Sequence, residues 1–165
     1  MATLNRITTR YDAAEDRIGL TGELASGETL LVWLTRPLVD QLVVHLVQWL
    51  EKQQPDMPRA DMILSFAQEA AQNAQAVQPP VKADQRTDQW LARDINISPQ
   101  AGQVCLTFRG AAAAPAMLTL AITPLRQWLG ILHRAYRTAG WPLQAWPHWM
   151  LEAGAQTRPA DIILN

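Results

Sequence analysis

The sequence contains little cysteine, little net charge and no long apolar run, and each absence excludes a class of protein. A single cysteine, Cys105, among 165 residues excludes an intramolecular disulfide framework and a zinc site built from several cysteines. The 14 lysine and arginine residues nearly balance the 15 aspartate and glutamate residues, which excludes a histone-like polycation and an acidic disordered tail. The most apolar stretch, 37–50, is interrupted by Asp40 and His45 and falls short of the roughly 20 residues that span a membrane.

The start of the chain has no apolar segment, and the motifs of common catalytic sites are missing. The residues from Met1 to Arg6 do not form a secretory signal, so we expect a soluble, cytoplasmic protein that does not bind membranes. Neither a glycine-rich phosphate loop, nor a nucleophile elbow, nor a zinc-protease or EF-hand motif occurs. We therefore expect no cofactor and no metal, and these absences favour a protein that is not an enzyme.

The two halves of the sequence resemble each other. Segment 18–21 matches segment 104–107 at Ile18, Leu20 and Thr21 with a constant shift of 86 residues, and Pro37 matches Pro124 with a shift of 87. We interpret this similarity as an internal duplication. The chain is then a single composite domain, 1–165, that consists of repeat one (1–77), a proline-containing linker (78–87) and repeat two (88–165).

Apolar periodicity predicts the same order of elements in each repeat. We expect an α+β fold that duplicates a βββαα unit, with antiparallel sheets packed on amphipathic helices about a pseudo-twofold axis. In repeat one the predicted strands are 6–11, 17–22 and 28–34, and the predicted helices are 36–52 and 58–76. In repeat two the strands are 89–97, 103–109 and 116–122, the helices are 124–139 and 147–153, and a last strand covers 161–164.

The helical periodicity also predicts which face of each helix is buried. The second helix of repeat one is expected to bury its apolar residues, which are Met62, Ile63, Phe66, Ala67, Ala70 and Ala74. The long helix of repeat two is expected to turn a polar stripe toward solvent, formed by Arg126, Gln127, Gly130, His133, Arg134 and Arg137. Three arginines on one helix side predict a surface for an acidic partner, whereas the net charge of −1 argues against nucleic acid.

Tryptophan is unusually frequent, with seven residues against two phenylalanines and two tyrosines. Trp141, Trp146 and Trp149 lie in a short segment that also contains Pro142 and Pro147, so they cannot all be inside one helix. Either this segment covers an end of the core, or it presents an apolar surface to a partner, since tryptophan is a preferred interface anchor. An aromatic ligand pocket is a further alternative.

Two functional hypotheses follow from these patterns. The first is a non-enzymatic cytoplasmic accessory protein that binds a protein partner or itself through the tryptophans Trp141, Trp146 and Trp149 and the arginines Arg126, Arg134 and Arg137. The alternative is a small-molecule-binding protein or enzyme with a site in the groove between the repeats, because pockets commonly form there. His45, His133, Arg134 and Tyr136 are the residues predicted to line that groove.

Overall fold

A computed structural model of the protein describes residues 1–54 and 58–151, and it confirms the α+β class. The chain forms three strands, two helices, four more strands and a third long helix, followed by a helical turn at 148–151. These elements are β1 (Ala2–Asp12), β2 (Arg17–Leu24), β3 (Thr29–Leu34), α1 (Arg36–Gln53), α2 (Ala60–Asn73), β4 (Asp88–Leu91), β5 (Asp94–Gln100), β6 (Gln103–Arg109), β7 (Ala116–Ala121) and α3 (Ile122–Ala139).

The strands form one mixed sheet with the order β4-β3-β2-β1-β7-β6-β5. Within each run of three consecutive strands the pairing is antiparallel, as predicted. The two runs meet through a parallel pair, β1 with β7, and β3 also pairs in parallel with β4. The sheet is therefore mixed rather than purely antiparallel, because strands from different halves of the chain join it side by side.

The sheet curls at the point where β4 passes into β5. These two strands lie at opposite edges of the strand order, yet only two residues separate them in the chain. The N–H of Ala92 donates to the carbonyl oxygen of Trp33 at 2.9 Å, and the N–H of Arg93 donates to that of Arg109 at 2.7 Å. The first of these N–H groups thus bonds to β3 and the next to β6. This change of partner brings the two edges of the sheet together and divides the predicted strand 89–97 in two.

The long helices bury the apolar faces that the periodicity predicts. Helix α1 begins at Arg36 with Pro37 in its first turn, where a missing N–H costs no helical hydrogen bond. Its buried residues and those of α3 form one hydrophobic core with the inner face of the sheet. The helix residues in this core include Val39, Leu42, Val43, Leu46, Leu50, Leu125, Trp128, Leu129, Leu132 and Tyr136.

Some predictions fall outside the part of the chain that the structure describes. The last predicted strand, 161–164, lies there entirely, and so does the end of the predicted helix 147–153, of which residues 148–151 form a helical turn. The predicted linker 78–87 packs on β1, since the N–H of Val81 donates to Thr8 Oγ1 at 2.8 Å. The internal duplication and its pseudo-twofold axis stay predictions.

Candidate functional site

Helix α2 packs on α3 through polar side chains that bind backbone carbonyl groups. Gln68 Nε2 donates to the carbonyl oxygen of Arg126 at 2.7 Å, and Gln127 Nε2 donates to that of Ala71 at 3.0 Å. Each side-chain amide reaches its carbonyl acceptor only where the two helices lie at this distance and in this register. The side of α2 that faces the protein is consequently polar in part.

A glycine in α3 lets the two helices come this close. A Cβ atom added to Gly130 would lie 2.7 Å from Nε2 of Gln72 and 3.1 Å from its Cγ. A side chain at 130 would therefore require the Gln72 side chain to move. Gly130 is therefore buried beneath α2, and the prediction that it faces solvent is wrong.

The opposite side of α2 is apolar and exposed. Met62 is 48% exposed and Phe66 is 56% exposed, and Val77, just beyond the helix, is fully exposed. The prediction that Met62 and Phe66 are buried is wrong: the buried residues of α2 are Leu64, Ser65, Gln68 and Ala71. We call the apolar side the outer face of α2. It consists of Met62, Phe66, Ala70 and Ala74, which are exposed, and of Ile63 and Ala67, which are half-buried.

The three tryptophans after α3 lie in the core. Gly140, with a φ of 69°, ends α3 and turns the chain so that Trp141, Trp146 and Trp149 pack back on the protein, where all three are buried. The Trp141 Nε1 donates to Asp16 Oδ1 at 3.0 Å. This is the arrangement of the core-cover alternative, in which the segment closes over the end of the core.

The aromatic rings of this segment pack edge to face with the rings of α3. The ring centroid of Trp146 is 5.0 Å from that of His133 and 5.3 Å from that of Tyr136, and Trp141 is 5.1 Å from Tyr136. Edge-to-face pairs of this kind stabilise a core beyond the apolar area that they bury. His133 is thus covered and only 5% exposed, and the prediction that it faces solvent is wrong.

The three predicted arginines separate into two environments. Arg134 and Arg137 are exposed, as the periodicity predicts. Arg126 is only 6% exposed, and its guanidinium carbon lies 6.0 Å from the ring centroid of Trp149. Burial lowers the pKa of the Arg126 guanidinium from its ordinary value. The outward orientation predicted for Arg126 is therefore wrong, because α2 and the tryptophan segment cover this part of the polar stripe of α3.

The residues predicted to share a groove lie in different places. Tyr136 is fully buried and donates a hydrogen bond from its hydroxyl to Asp40 Oδ1 at 2.5 Å; burial first, and then this bond, raises the Tyr136 pKa above its usual range. His45 lies on the exposed side of α1, with its Nδ1 2.7 Å from the Gln41 carbonyl oxygen, and lines a shallow groove of about 350 Å³ beside β5. His133 and Tyr136 do not line that groove.

A larger cavity, of about 1010 Å³, opens at the end of the curled sheet. Its walls are the turn between β2 and β3, strand β4 and the alanine-rich loop 111–114. Trp90 contributes a flat apolar surface, and Arg86, Arg93 and Asp88 contribute charge. Sequence reasoning missed this cavity because its residues come from four separated segments that have no shared pattern.

The described residues contain neither a metal-binding cluster nor a membrane-spanning helix, and comparisons with known proteins find no match. Within residues 1–54 and 58–151, no group of three histidine, cysteine or acidic residues could hold a metal ion, and no helix is long and apolar enough to cross a membrane. No protein-family model, no curated protein and no solved structure matches the chain.

Proposed function

We propose that this chain is a non-enzymatic cytoplasmic interaction protein that pairs with a second copy of itself through the outer face of α2. The observation that carries the proposal is the orientation of α2, which turns Met62 and Phe66 to solvent and Gln68 to the protein. An amphipathic helix ordinarily does the reverse. Contiguous exposed apolar residues bounded by polar ones mark interaction surfaces, because water is expelled from them on association.

The composition of the outer face suits a second copy. Its six residues carry no charge, and the acidic residue that borders it, Glu69, lies one turn from Phe66. Three of the six are alanines, which permit the close approach of two helices. The 14-residue helix offers a contact about 21 Å long. Burial of a phenylalanine or methionine side chain that is now half exposed contributes on the order of 1 kcal/mol each.

Phe66→Glu tests this pairing by sedimentation velocity across a concentration series. We expect the wild-type chain to form a dimer and the Phe66→Glu dimer to have a dissociation constant at least about 100-fold higher, because each copy would bury a carboxylate without a partner. Circular dichroism confirms that the variant is folded.

Val44→Glu is the matched control for that experiment. Val44 is an apolar residue of α1 that is 38% exposed and lies outside the outer face of α2, so the same change of chemistry there leaves the dimer intact. A wild-type chain that stays monomeric up to roughly 100 μM, or an equal loss of association in both variants, would overturn the proposal.

A second candidate function is supported by the 1010 Å³ cavity at the end of the sheet. Its volume is at the upper limit for small-molecule sites, and its combination of Trp90 with charged side chains suits a ligand that has a flat ring and charged groups.

Native mass spectrometry of gently purified protein is expected to reveal a bound mass of a few hundred daltons in the wild type and none in Trp90→Ala. Trp33→Ala, on the adjacent strand but outside the cavity, retains that mass; a bare wild-type chain contradicts this candidate.

The predicted duplication also receives support from the order of elements. Each half contains three antiparallel strands followed by a long helix, β1 to β3 with α1 and β5 to β7 with α3. Both junctions between the halves are parallel pairs, β1 with β7 and β3 with β4. This order is the one expected of two fused copies of one unit.

A further inference from the structure

The cavity at the end of the curled sheet contains three kinds of surface. Trp90 supplies a flat ring, Arg86 and Arg93 supply two guanidinium groups, and Asp88 supplies a carboxylate. Each kind suits a different group of a ligand: a ring stacks on the indole, an anion pairs with guanidinium groups, and hydroxyl groups donate to a carboxylate. The cavity therefore favours a ligand that combines these three groups over one that consists of a ring alone.

The ring of Trp90 is held in position by the backbone of the neighbouring loop. A Cβ atom added to Gly110 would lie 2.7 Å from Cε3 of Trp90 and 3.3 Å from its Cδ2, so the main chain at 110 contacts the indole directly. The ring is half-buried and still lines the cavity. It is consequently a preformed stacking surface, and a bound ring does not have to order it first.

The turn that carries Arg86 is ordered by its own hydrogen bonds. The N–H of Asp84 donates to Thr87 Oγ1 at 2.8 Å, and the N–H of Arg86 donates to Asp84 Oδ1 at 2.7 Å. Thr87 Oγ1 also lies 2.5 Å from Thr29 Oγ1, which joins the turn to β3. The backbone at Arg86 is therefore fixed at the start of β4, while its side chain is exposed and lines the cavity.

Two of the three acidic residues of the cavity already accept local hydrogen bonds. The carboxylate of Glu28 accepts from the hydroxyl of Ser26 at 3.0 Å, and that of Asp84 accepts from the main chain of its own turn. The third is Asp88, which is exposed at the start of β4. We therefore assign the contact with ligand hydroxyl groups to Asp88.

The two arginines of the cavity suit a phosphate group. Arg86 and Arg93 are both exposed, and they flank Trp90 along one stretch of the chain. Each guanidinium is a planar fork of donors that can bind two oxygen atoms at once. Two such forks offer more donors than the two oxygen atoms of a carboxylate can use in this way, whereas a phosphate monoester presents three terminal oxygen atoms.

We propose that this cavity binds a nucleoside monophosphate, with the base on Trp90, the phosphate at Arg86 and Arg93, and the sugar hydroxyl groups at Asp88. The volume of about 1010 Å³ is sufficient for a ligand of this size. The inference rests on the second candidate function and gives its ligand class. It does not depend on the dimer, because the cavity and the outer face of α2 are formed by different residues.

Isothermal titration calorimetry of the full chain with AMP, GMP, CMP and UMP tests the ligand class. Each monophosphate is compared with its nucleoside, which lacks the phosphate, and with ribose 5-phosphate, which lacks the base. We expect one or more monophosphates to bind with a Kd below about 1 mM. The nucleoside and ribose 5-phosphate are expected to bind at least about tenfold more weakly, since stacking and the phosphate contacts each contribute to affinity.

Two pairs of variants assign the ring and the phosphate to their residues. Trp90→Leu is expected to weaken binding of the monophosphate at least about tenfold, whereas Trp33→Leu, on the adjacent strand but outside the cavity, retains the affinity. Arg86→Gln with Arg93→Gln is expected to reduce the affinity to that of the nucleoside. Arg134→Gln with Arg137→Gln removes two exposed arginines of α3 and leaves binding unchanged.

Ala113→Phe tests the location without removing a group that contacts the ligand. Ala113 belongs to the loop that forms one wall of the cavity, so a phenylalanine there occupies space that the nucleotide needs. We expect this variant to lose binding and to keep the Tm of the wild type.

The proposal is overturned if none of the monophosphates binds, if the nucleoside binds as tightly as its monophosphate, or if the Arg86, Arg93 pair of substitutions or Ala113→Phe leaves the affinity unchanged. A bound mass that Trp90→Ala loses but that is not a nucleotide also overturns it. In that case the second candidate function stands with a ligand of another class.

Discussion

Trp146→Ala is expected to lower the free energy of unfolding by about 3–5 kcal/mol. Trp146 is buried and packs its ring edge to face against Tyr136 and His133, so the substitution removes apolar contacts and leaves a cavity beside α3. Chemical denaturation followed by circular dichroism measures the loss, as a lower midpoint with an unchanged slope.

Trp33→Ala is the comparison for Trp146→Ala. Trp33 lies on β3 and is only partly buried, so we expect it to lose less than half as much stability. This pair of variants distinguishes the two roles considered for the tryptophan segment. A Trp146→Ala protein that loses less than about 1 kcal/mol but no longer associates would show that Trp146 is an interface anchor rather than a core residue.

Acidification from pH 6.5 to pH 4 is expected to destabilise the protein through His133. Burial first, and the positive charge of Arg137 second, lower the His133 pKa from 6.5 to about 4. In this interval the unfolded chain binds a proton at His133 and the folded chain does not, so stability falls as the pH falls. The whole difference corresponds to roughly 3 kcal/mol, which is the upper limit of the loss that we expect.

The measurement is the free energy of unfolding at several pH values for the wild type and His133→Gln. The difference between the two curves isolates the contribution of His133 from those of the carboxylates. Asp16 is one of them: hydrogen bonds from Tyr11 and Trp141 lower its pKa below 3.8, so its contribution is present above that pH and lost as the pH falls through the folded-state value. His45→Gln, a change at an exposed histidine of α1, is expected to follow the wild-type curve. Parallel curves for wild type and His133→Gln would show that His133 is hydrated in the folded state.

Local patterns in the sequence were sufficient to predict most of the elements. The strand predicted at 103–109 is β6, and the helices predicted at 36–52 and 124–139 match α1 and α3 closely. These elements have a long, regular apolar period, and proline or glycine marks their ends. The parallel pairs and the division of strand 89–97 were not predictable in this way, because they depend on which distant strand supplies the acceptor for Ala92 and Arg93.

The candidate sites were less predictable than the elements. The periodicity of α2 separates an apolar face from a polar face as predicted, but the polar face is the one that packs on the protein. Gln68 donates to a carbonyl oxygen of α3, and Gly130 leaves room for Gln72. The burial of Arg126 and His133 follows from the same packing. A helix period reports the polarity of each face, and it carries no information about a second layer that covers the polar one.

The sequence by itself determined the class of this protein: the helices α1 and α3, the strands of both halves and the absence of recognisable catalytic motifs follow from residues close together in the chain. Only the tertiary structure decided which faces are covered and which are free. Gln68 and Arg126 are 58 residues apart, and their hydrogen bond joins the polar side of α2 to α3 while Met62 and Phe66 stay exposed. Burial is set by the segment that packs on a surface, and that segment comes from a distant part of the chain whose position no local pattern specifies.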